Sequence, residues 1–173
     1  VVLFQNFSRG AVSWKRVSEI LHMEGDLKDG TYADGTEETG TIEFVNVSFS
    51  YPGLERPVLR NINLKINSGE TVGIMGATGC GKTSMVSLIP RFYDVTEGQI
   101  LVDGIDVRDY KRSVLMDKIG FVFQKSELFG ATIGENISWG YEDATAEQIE
   151  KAARIARAEE FIKKMPDQYD SMV

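Results

Sequence analysis

The chain is poor in the residues that metal and redox chemistry draw on. Among its 173 residues there is one cysteine and one histidine. One cysteine excludes a disulfide within the chain and a cysteine-based zinc site. One histidine leaves little material for a histidine-rich metal centre or a Ser-His-Asp triad. Basic residues are the minority: 19 Lys and Arg stand against 26 Asp and Glu, a net charge of -7. A general nucleic-acid binder carries the opposite sign, because neutralising phosphates takes a basic face. Nucleic acid is therefore not an expected partner. A local anion site remains open to an acidic chain, since backbone N–H groups and one lysine suffice to build it. No apolar run reaches the roughly 18 residues a membrane span needs, and no signal-peptide pattern opens the chain.

What is present suits one ordinary domain. Hydrophobic residues make up 42% and charged residues 26%, enough to bury a core and too little charge for wholesale disorder. The chain starts at Val1 and ends on Ser171, Met172 and Val173 with no polar tail. It reads as a segment of a longer protein.

Residues 1–24 predict a helix. Val12, Val17, Ile20 and Leu21 recur at helical spacing, with Arg9, Lys15 and Arg16 between them. Two readings fit: an ordinary amphipathic helix, and the cytoplasmic end of a membrane helix with its basic residues inside. His22 reads as an exposed or packed side chain rather than a ligand. Residues 25–40 are rich in Gly, Asp, Glu and Thr and predict a linker.

Strand texture begins at Thr41–Phe49. Ile62, Leu64 and Ile66 alternate with Asn63 and Lys65, as a half-buried strand requires, and residues 67–70 predict a turn. Val72–Met75 reads as a short, fully buried strand of a parallel sheet. Residues 82–89 predict a helix, Gln99–Val102 a strand into the Asp103-Gly104 turn, Ser113–Lys118 a helix and Ile119–Phe123 another apolar strand. Thr145 and Gln148 form a capping-box pattern before a helix with Ile149, Ala152, Ala153 and Ala156 on one face. Phe161 and Ile162 continue the apolar character up to Pro166.

Between the predicted strand 72–75 and the helix at 82 lies Gly76-Ala77-Thr78-Gly79-Cys80-Gly81-Lys82-Thr83. It matches G-x-x-x-x-G-K-[ST], the P-loop or Walker A pattern, in its proper strand–loop–helix setting. Glycines let the backbone turn with positive φ and approach a ligand closely. Successive N–H groups then form an anion nest, reinforced by the helix N-terminus. Lys82 supplies a point charge for the β- and γ-phosphates, and Thr83 offers a hydroxyl to Mg2+, which takes few protein ligands. Cys80 contributes its backbone. The expected binding stretch runs from Gly76 through Thr83 to Ser84, with ATP and Mg2+ as cofactors.

The surroundings separate one P-loop family from the others. Phe49-Ser50-Tyr51-Pro52-Gly53, Pro57-Val58-Leu59-Arg60-Asn61-Ile62-Asn63-Leu64 and Ser68-Gly69-Glu70-Thr71-Val72-Gly73-Ile74 resemble an ATP-binding cassette (ABC) domain. So do Pro90-Arg91-Phe92-Tyr93-Asp94, Glu97-Gly98 and Val102-Asp103-Gly104-Ile105-Asp106. Leu128-Phe129-Gly130-Ala131-Thr132-Ile133-Gly134-Glu135-Asn136-Ile137 resembles the exporter branch. The resemblance covers residues 41–173 strongly, and residues 1–24 more weakly as the end of the last transmembrane helix.

The resemblance implies an α/β fold: a P-loop NTPase, RecA-like core with an N-terminal antiparallel β subdomain and the start of an α-helical subdomain. The core would span 41–124 and the helical start 125–173. Tyr51 matches the A-loop aromatic that stacks on adenine; read alone, without the cassette pattern, it reads first as a core aromatic at a strand end. Gln124 matches the Q-loop glutamine, whose amide can reach Mg2+ and attacking water; here Phe123 precedes it where the family often has proline. Lys82 and Gln124 are the candidate catalytic residues. Phe129, Ile133 and Ile137 would help line a groove for the coupling helices of a transmembrane domain. Trp139 and Tyr141 are candidates for the same surface, although as bare sequence they read as core packing.

The family's signature motif, Walker B aspartate, catalytic glutamate and switch histidine have no match here. The resemblance thus implies a chain that binds Mg-ATP without turning it over. The longer exporter would be an ATPase at the cytoplasmic face of the cell membrane, paired with a second nucleotide-binding domain. Another P-loop kinase and a non-catalytic ATP-binding module remain the alternatives.

Overall fold

Three residues along the first strand show how the sheet is built. Phe44, Val47 and Phe49 are all buried, yet Phe44 and Val47 are an odd number of residues apart. Strict alternation would put them on opposite faces. The strand β1 (Ile42–Phe49) resolves this with a bulge: its register shifts between Phe44 and Val47, and Asn46 takes φ 50°. The computed structural model describes residues 2–22, 25, 27–33, 40–54, 56–141 and 143–173, with side chains from residue 12 onward.

Around β1 the chain forms β2 (Leu59–Ile66), β3 (Glu97–Val102) and β4 (Ile105–Asp106). All pairings are antiparallel, in the order β2-β1-β3-β4. The turn at 67–70 closes as predicted, with the Glu70 N–H donating to the Asn67 carbonyl at 3.1 Å. Under the sheet, Leu88 of the helix at Lys82–Leu88 and Leu115 of the helix at Arg112–Lys118 join Phe44, Val47, Phe49, Leu59 and Ile100 in one core. Tyr110 is fully buried and donates its hydroxyl to the Val102 carbonyl at 2.9 Å.

Helices number as follows: α1 (Val2–Leu21), α2 (Lys82–Leu88), α3 (Arg112–Lys118), α4 (Ile133–Ser138), α5 (Ala146–Ile155) and α6 (Glu159–Ile162). The helix predicted for 1–24 is present as α1, although residues 23 and 24 lie outside the described set. Val12, Trp14, Val17, Ile20 and Leu21 are exposed on it. Among the described residues no helix is long and apolar enough to cross a membrane. His22 is exposed, its Nδ1 2.8 Å from the Ser18 carbonyl. In the linker, Gly30 and Tyr32 hydrogen-bond to the backbone at Asp109–Lys111; residues 34–39 lie outside the description.

Two predicted strands are not strands. Residues 71–77 and 119–123 have no regular secondary structure. Val72 is 43%, Met75 94% and Val122 89% exposed. Apolar runs of this kind are strands only when neighbours bond both edges and cover both faces. Among the described residues no strand pairs with either run, and much of their apolar surface is exposed.

The chain divides into two compact units, residues 1–121 and 122–173. In the second, Ile133, Ala153 and Ile162 form a small core with Ile137, Ala158, Met165 and Tyr169 against it. Both α4 and α5 begin with full capping boxes, Thr132 with Glu135 and Thr145 with Gln148. Of the predicted apolar face of α5, Ala153 is buried and Ile149 half-buried; Ala152 and Ala156 are exposed.

Candidate nucleotide site

The loop between β2 and α2 owes its shape to glycine at two places. Gly79 and Gly81 take φ 82° and 94°, the left-handed region that costs other residues about 1–2 kcal/mol. Gly81 is also the residue from which α2 starts: the Met85 N–H donates to its carbonyl at 2.8 Å. Having no side chain, Gly81 leaves the first turn of α2 without a side-chain cap. The first N–H groups of any helix lack intrahelical partners, so this end suits an anion.

Around that turn the predicted residues take distinct positions. Gly76, Ala77, Thr78, Gly79 and Cys80 are exposed, as is Thr83. Lys82 is half-buried, and its ammonium donates to the Gly76 carbonyl at 2.9 Å and the Ala77 carbonyl at 2.8 Å. Cys80 Sγ lies 3.7 Å from the same nitrogen. The lysine thus reaches back across its own loop and holds the positive charge at the glycine-rich turn.

Tyr51 reaches the same helix from β1. Its hydroxyl lies 2.9 Å from Ser84 Oγ, and Ser84 is buried. The Tyr51 ring meets Phe49 edge-on at 4.8 Å and Tyr93 edge-on at 5.1 Å. Tyr93 follows α2 and is held near by the bidentate pair of Arg91 with Asp94, at 2.7 and 3.2 Å. Sequence reading placed Pro90–Asp94 in the family pattern but did not single out Tyr93. An aromatic a few residues beyond the phosphate-loop helix is the signal the sequence holds.

Gln124 belongs to the second unit, where it is exposed and outside regular structure. Trp139 and Tyr141 are not core residues: they are 60% and 61% exposed. Trp139 instead stacks on Phe129, with ring centres 3.9 Å apart and planes 12° from parallel. Asn136 holds that arrangement by bonding the Phe129 N–H and carbonyl at 2.8 and 3.0 Å. Their short helix ends at Ser138, too early to fold the following aromatics into the small core.

The donor chemistry fits magnesium in one respect. Thr83 presents a hydroxyl, a hard oxygen ligand, beside Lys82 at the start of α2. Among the described residues there is no cluster of three His, Cys, Asp or Glu.

A glycine-shaped loop opening a helix, with its lysine turned onto the loop and an aromatic tied to the same helix, defines a P-loop nucleotide-binding fold. Known proteins narrow this further. The family model for the ABC transporter matches residues 59–172. The ATP-dependent lipid A-core flippase of Salmonella typhimurium is 44% identical over 168 residues, 96% of this chain and 29% of the flippase. That of Escherichia coli K12 is 43% identical over the same length. A solved structure of a bacterial Atm1-family ABC exporter with ATP bound superposes with a TM-score of 0.85 at 30% identity, covering 99% of this chain and 30% of that one. The chain belongs to the ABC transporter family. It spans less than a third of the length of these curated relatives.

Proposed function

We propose that this chain is the ATP-binding part of an ABC exporter, in which ATP binding and hydrolysis drive export of a substrate across a membrane. The observation that carries the reading is that Tyr51 and the phosphate loop converge on one helix, with Ser84 two residues after Lys82. A base platform and a phosphate cradle that meet at the first turn of one short helix suit a nucleoside triphosphate. Tyr51 stacks on the adenine. Lys82 and the loop N–H groups hold the β- and γ-phosphates, and Thr83 supplies a hydroxyl to Mg2+. Bound Mg2+ neutralises phosphate charge. The amide of Gln124 would offer its oxygen to a metal and its N–H groups to water.

The exposed Phe129–Trp139 pair supports a partner surface on the second unit. Beside it, Leu128, Ile137, Phe161 and Met165 line an apolar groove of about 430 Å³. Stacked aromatics left in water are unusual unless they meet a partner. The partner we infer is a coupling helix of the transporter's membrane domain, at the cytoplasmic face of the cell membrane. A second nucleotide-binding domain completes the assembly. Family membership removes the kinase alternative; a non-catalytic ATP-binding module remains the second reading.

Isothermal titration of the purified chain with Mg-ATP, then phosphate release on the same sample, tests this. Saturable binding without turnover is expected. A folded chain, verified by circular dichroism, that does not bind would sink the reading. Robust turnover would show that some group within these residues acts as the catalytic base.

A further inference from the structure

We propose that residues Asp29–Tyr32, between α1 and β1, are a strap that controls α3: docked on the first unit they cap that helix, and released they uncap it. Their composition predicts a loose linker, and a loose linker leaves its backbone to water. These residues do the opposite. The Gly30 N–H donates to the Tyr110 carbonyl at 3.1 Å, and the Tyr32 N–H donates to the Asp109 carbonyl at 2.8 Å. In return the Lys111 N–H donates to the Tyr32 carbonyl at 2.9 Å. Tyr32 and Tyr110 form a parallel bridge, and the half-buried Tyr32 ring stands edge-on to the fully buried Tyr110, centres 5.3 Å apart. Gly30 permits this approach: a Cβ there would run into the carbonyls of Asp109 and Tyr110.

The first N–H groups of a helix need partners from outside it. Lys111 stands at the N-cap of α3 and its side chain makes no capping bond. Asp29 supplies one instead: its Oδ1 accepts from the Arg112 N–H at 2.7 Å. At the other end of α3, Lys118 pairs with Asp103, and Asp103 also accepts from the Thr41 N–H. Asp29 and Thr41 therefore hold the chain that leads into β1 at the two ends of α3. The backbone bonds and the cap all lie within Asp29–Tyr32, so they form and break together. Coupling of this kind is reciprocal: whatever loosens the docking loosens the cap by the same factor, and the reverse. Because the strap follows α1, a displacement of α1 acts on α3 through it.

Residue-resolved hydrogen exchange on the full chain, followed by NMR, tests this. The amides read are Tyr32, Lys111 and Arg112, with those of β1 and β3 as the measure of global stability. All three should be protected in the parent. Gly30→Ala should strip protection from Tyr32 and Lys111, and from Arg112 as well, although Asp29 is untouched. Asp29→Ala removes one hydrogen bond, about a two- to tenfold change. It should speed exchange by that factor at Arg112 and equally at Tyr32 and Lys111. Asp29→Asn, which keeps an acceptor oxygen, should recover most of the loss. Protection in β1 and β3 should hold throughout. Should Gly30→Ala lower that protection too, the milder Asp29→Ala decides by itself. Tyr32 and Lys111 exchanging at the unprotected rate in the parent would mean that the strap is not docked. Arg112 keeping its protection in a folded Gly30→Ala, or a loss confined to Arg112 in Asp29→Ala, would mean that docking and capping are independent. Either result overturns the proposal.

Discussion

Gly81 lies directly against Leu59: a Cβ on Gly81 would stand 2.9 Å from Leu59 Cδ2 and 3.3 Å from the Val58 carbonyl oxygen. The glycine thus joins the phosphate loop to the sheet by close approach, and it does so at φ 94°. Gly81→Ala meets both penalties, the left-handed backbone and the overpacking against Leu59. Together they amount to on the order of 2–5 kcal/mol. Urea unfolding should show a lower midpoint, and calorimetry should show weakened Mg-ATP binding. An unchanged midpoint would mean the loop relaxes freely and is not packed as described.

Lys82 and Tyr51 serve opposite ends of the nucleotide, so their losses should be separable. Lys82→Ala removes charge-assisted bonds worth about 1.5–3 kcal/mol, roughly a ten- to hundredfold rise in Kd. ATP and tripolyphosphate should weaken together. Tyr51→Ala should lose about 1–3 kcal/mol of stacking on ATP and nothing on tripolyphosphate. Calorimetric titration of both ligands reads the difference; equal losses for Tyr51→Ala would remove its stacking role.

Most of this architecture was legible because its signals are local. Alternation at Ile62, Leu64 and Ile66, the Asp103-Gly104 turn and the capping box at Thr145 each depend on residues within a few positions. The phosphate loop was legible for the same reason: its chemistry lies in eight consecutive residues. Val72–Met75 and Ile119–Phe123 misled because strand formation is a property of pairs. Their composition says they belong inside something, and nothing local says what covers them. The Tyr51–Ser84 bond was illegible for a related reason. It spans 33 residues, and no pattern at either end announces the other. The core reading of Trp139 fails because α4 ends at Ser138 and leaves the ring exposed; its reading as a surface residue does not.

A buried ion pair pins the edge of the first unit. Lys118, the last residue of α3, lies 3.3 Å from Asp103 Oδ2, and the two side chains are only 8% and 4% exposed. The other carboxylate oxygen of Asp103 accepts from the Thr41 N–H at 3.1 Å. Breaking a buried ion pair from one side typically destabilises by about 3–5 kcal/mol. Lys118→Met alone should therefore unfold at clearly lower denaturant. Adding Asp103→Asn, which keeps the acceptor for Thr41, should recover most of the loss. Lys118→Met behaving like the double variant would mean that the pair is wet enough to be screened.

In the second unit, pH should act through the cap of α4. The Glu135 carboxylate accepts from the Thr132 N–H at 2.7 Å and from its hydroxyl at 2.9 Å. These bonds, the backbone one foremost, hold its pKa below the ordinary value of 4.5. A carboxyl depressed in the folded state stabilises that state above its unfolded pKa, and the contribution fades as pH falls through the folded pKa. The α4 amides should therefore keep constant hydrogen-exchange protection from neutral pH down to about 4.5, after correction for the intrinsic exchange rate, and lose it below. Glu159, depressed by its bonds to Lys163 and Arg154, titrates on α6 in the same direction. The comparison that isolates the cap is Glu135→Gln, which keeps a capping side chain but cannot titrate. Its protection at α4 should be flat across the acid range where the parent's falls, and Thr132→Ala should lose about 1 kcal/mol near neutral pH and less once Glu135 is protonated. Parallel acid profiles for the parent and Glu135→Gln would assign the loss to α6 instead.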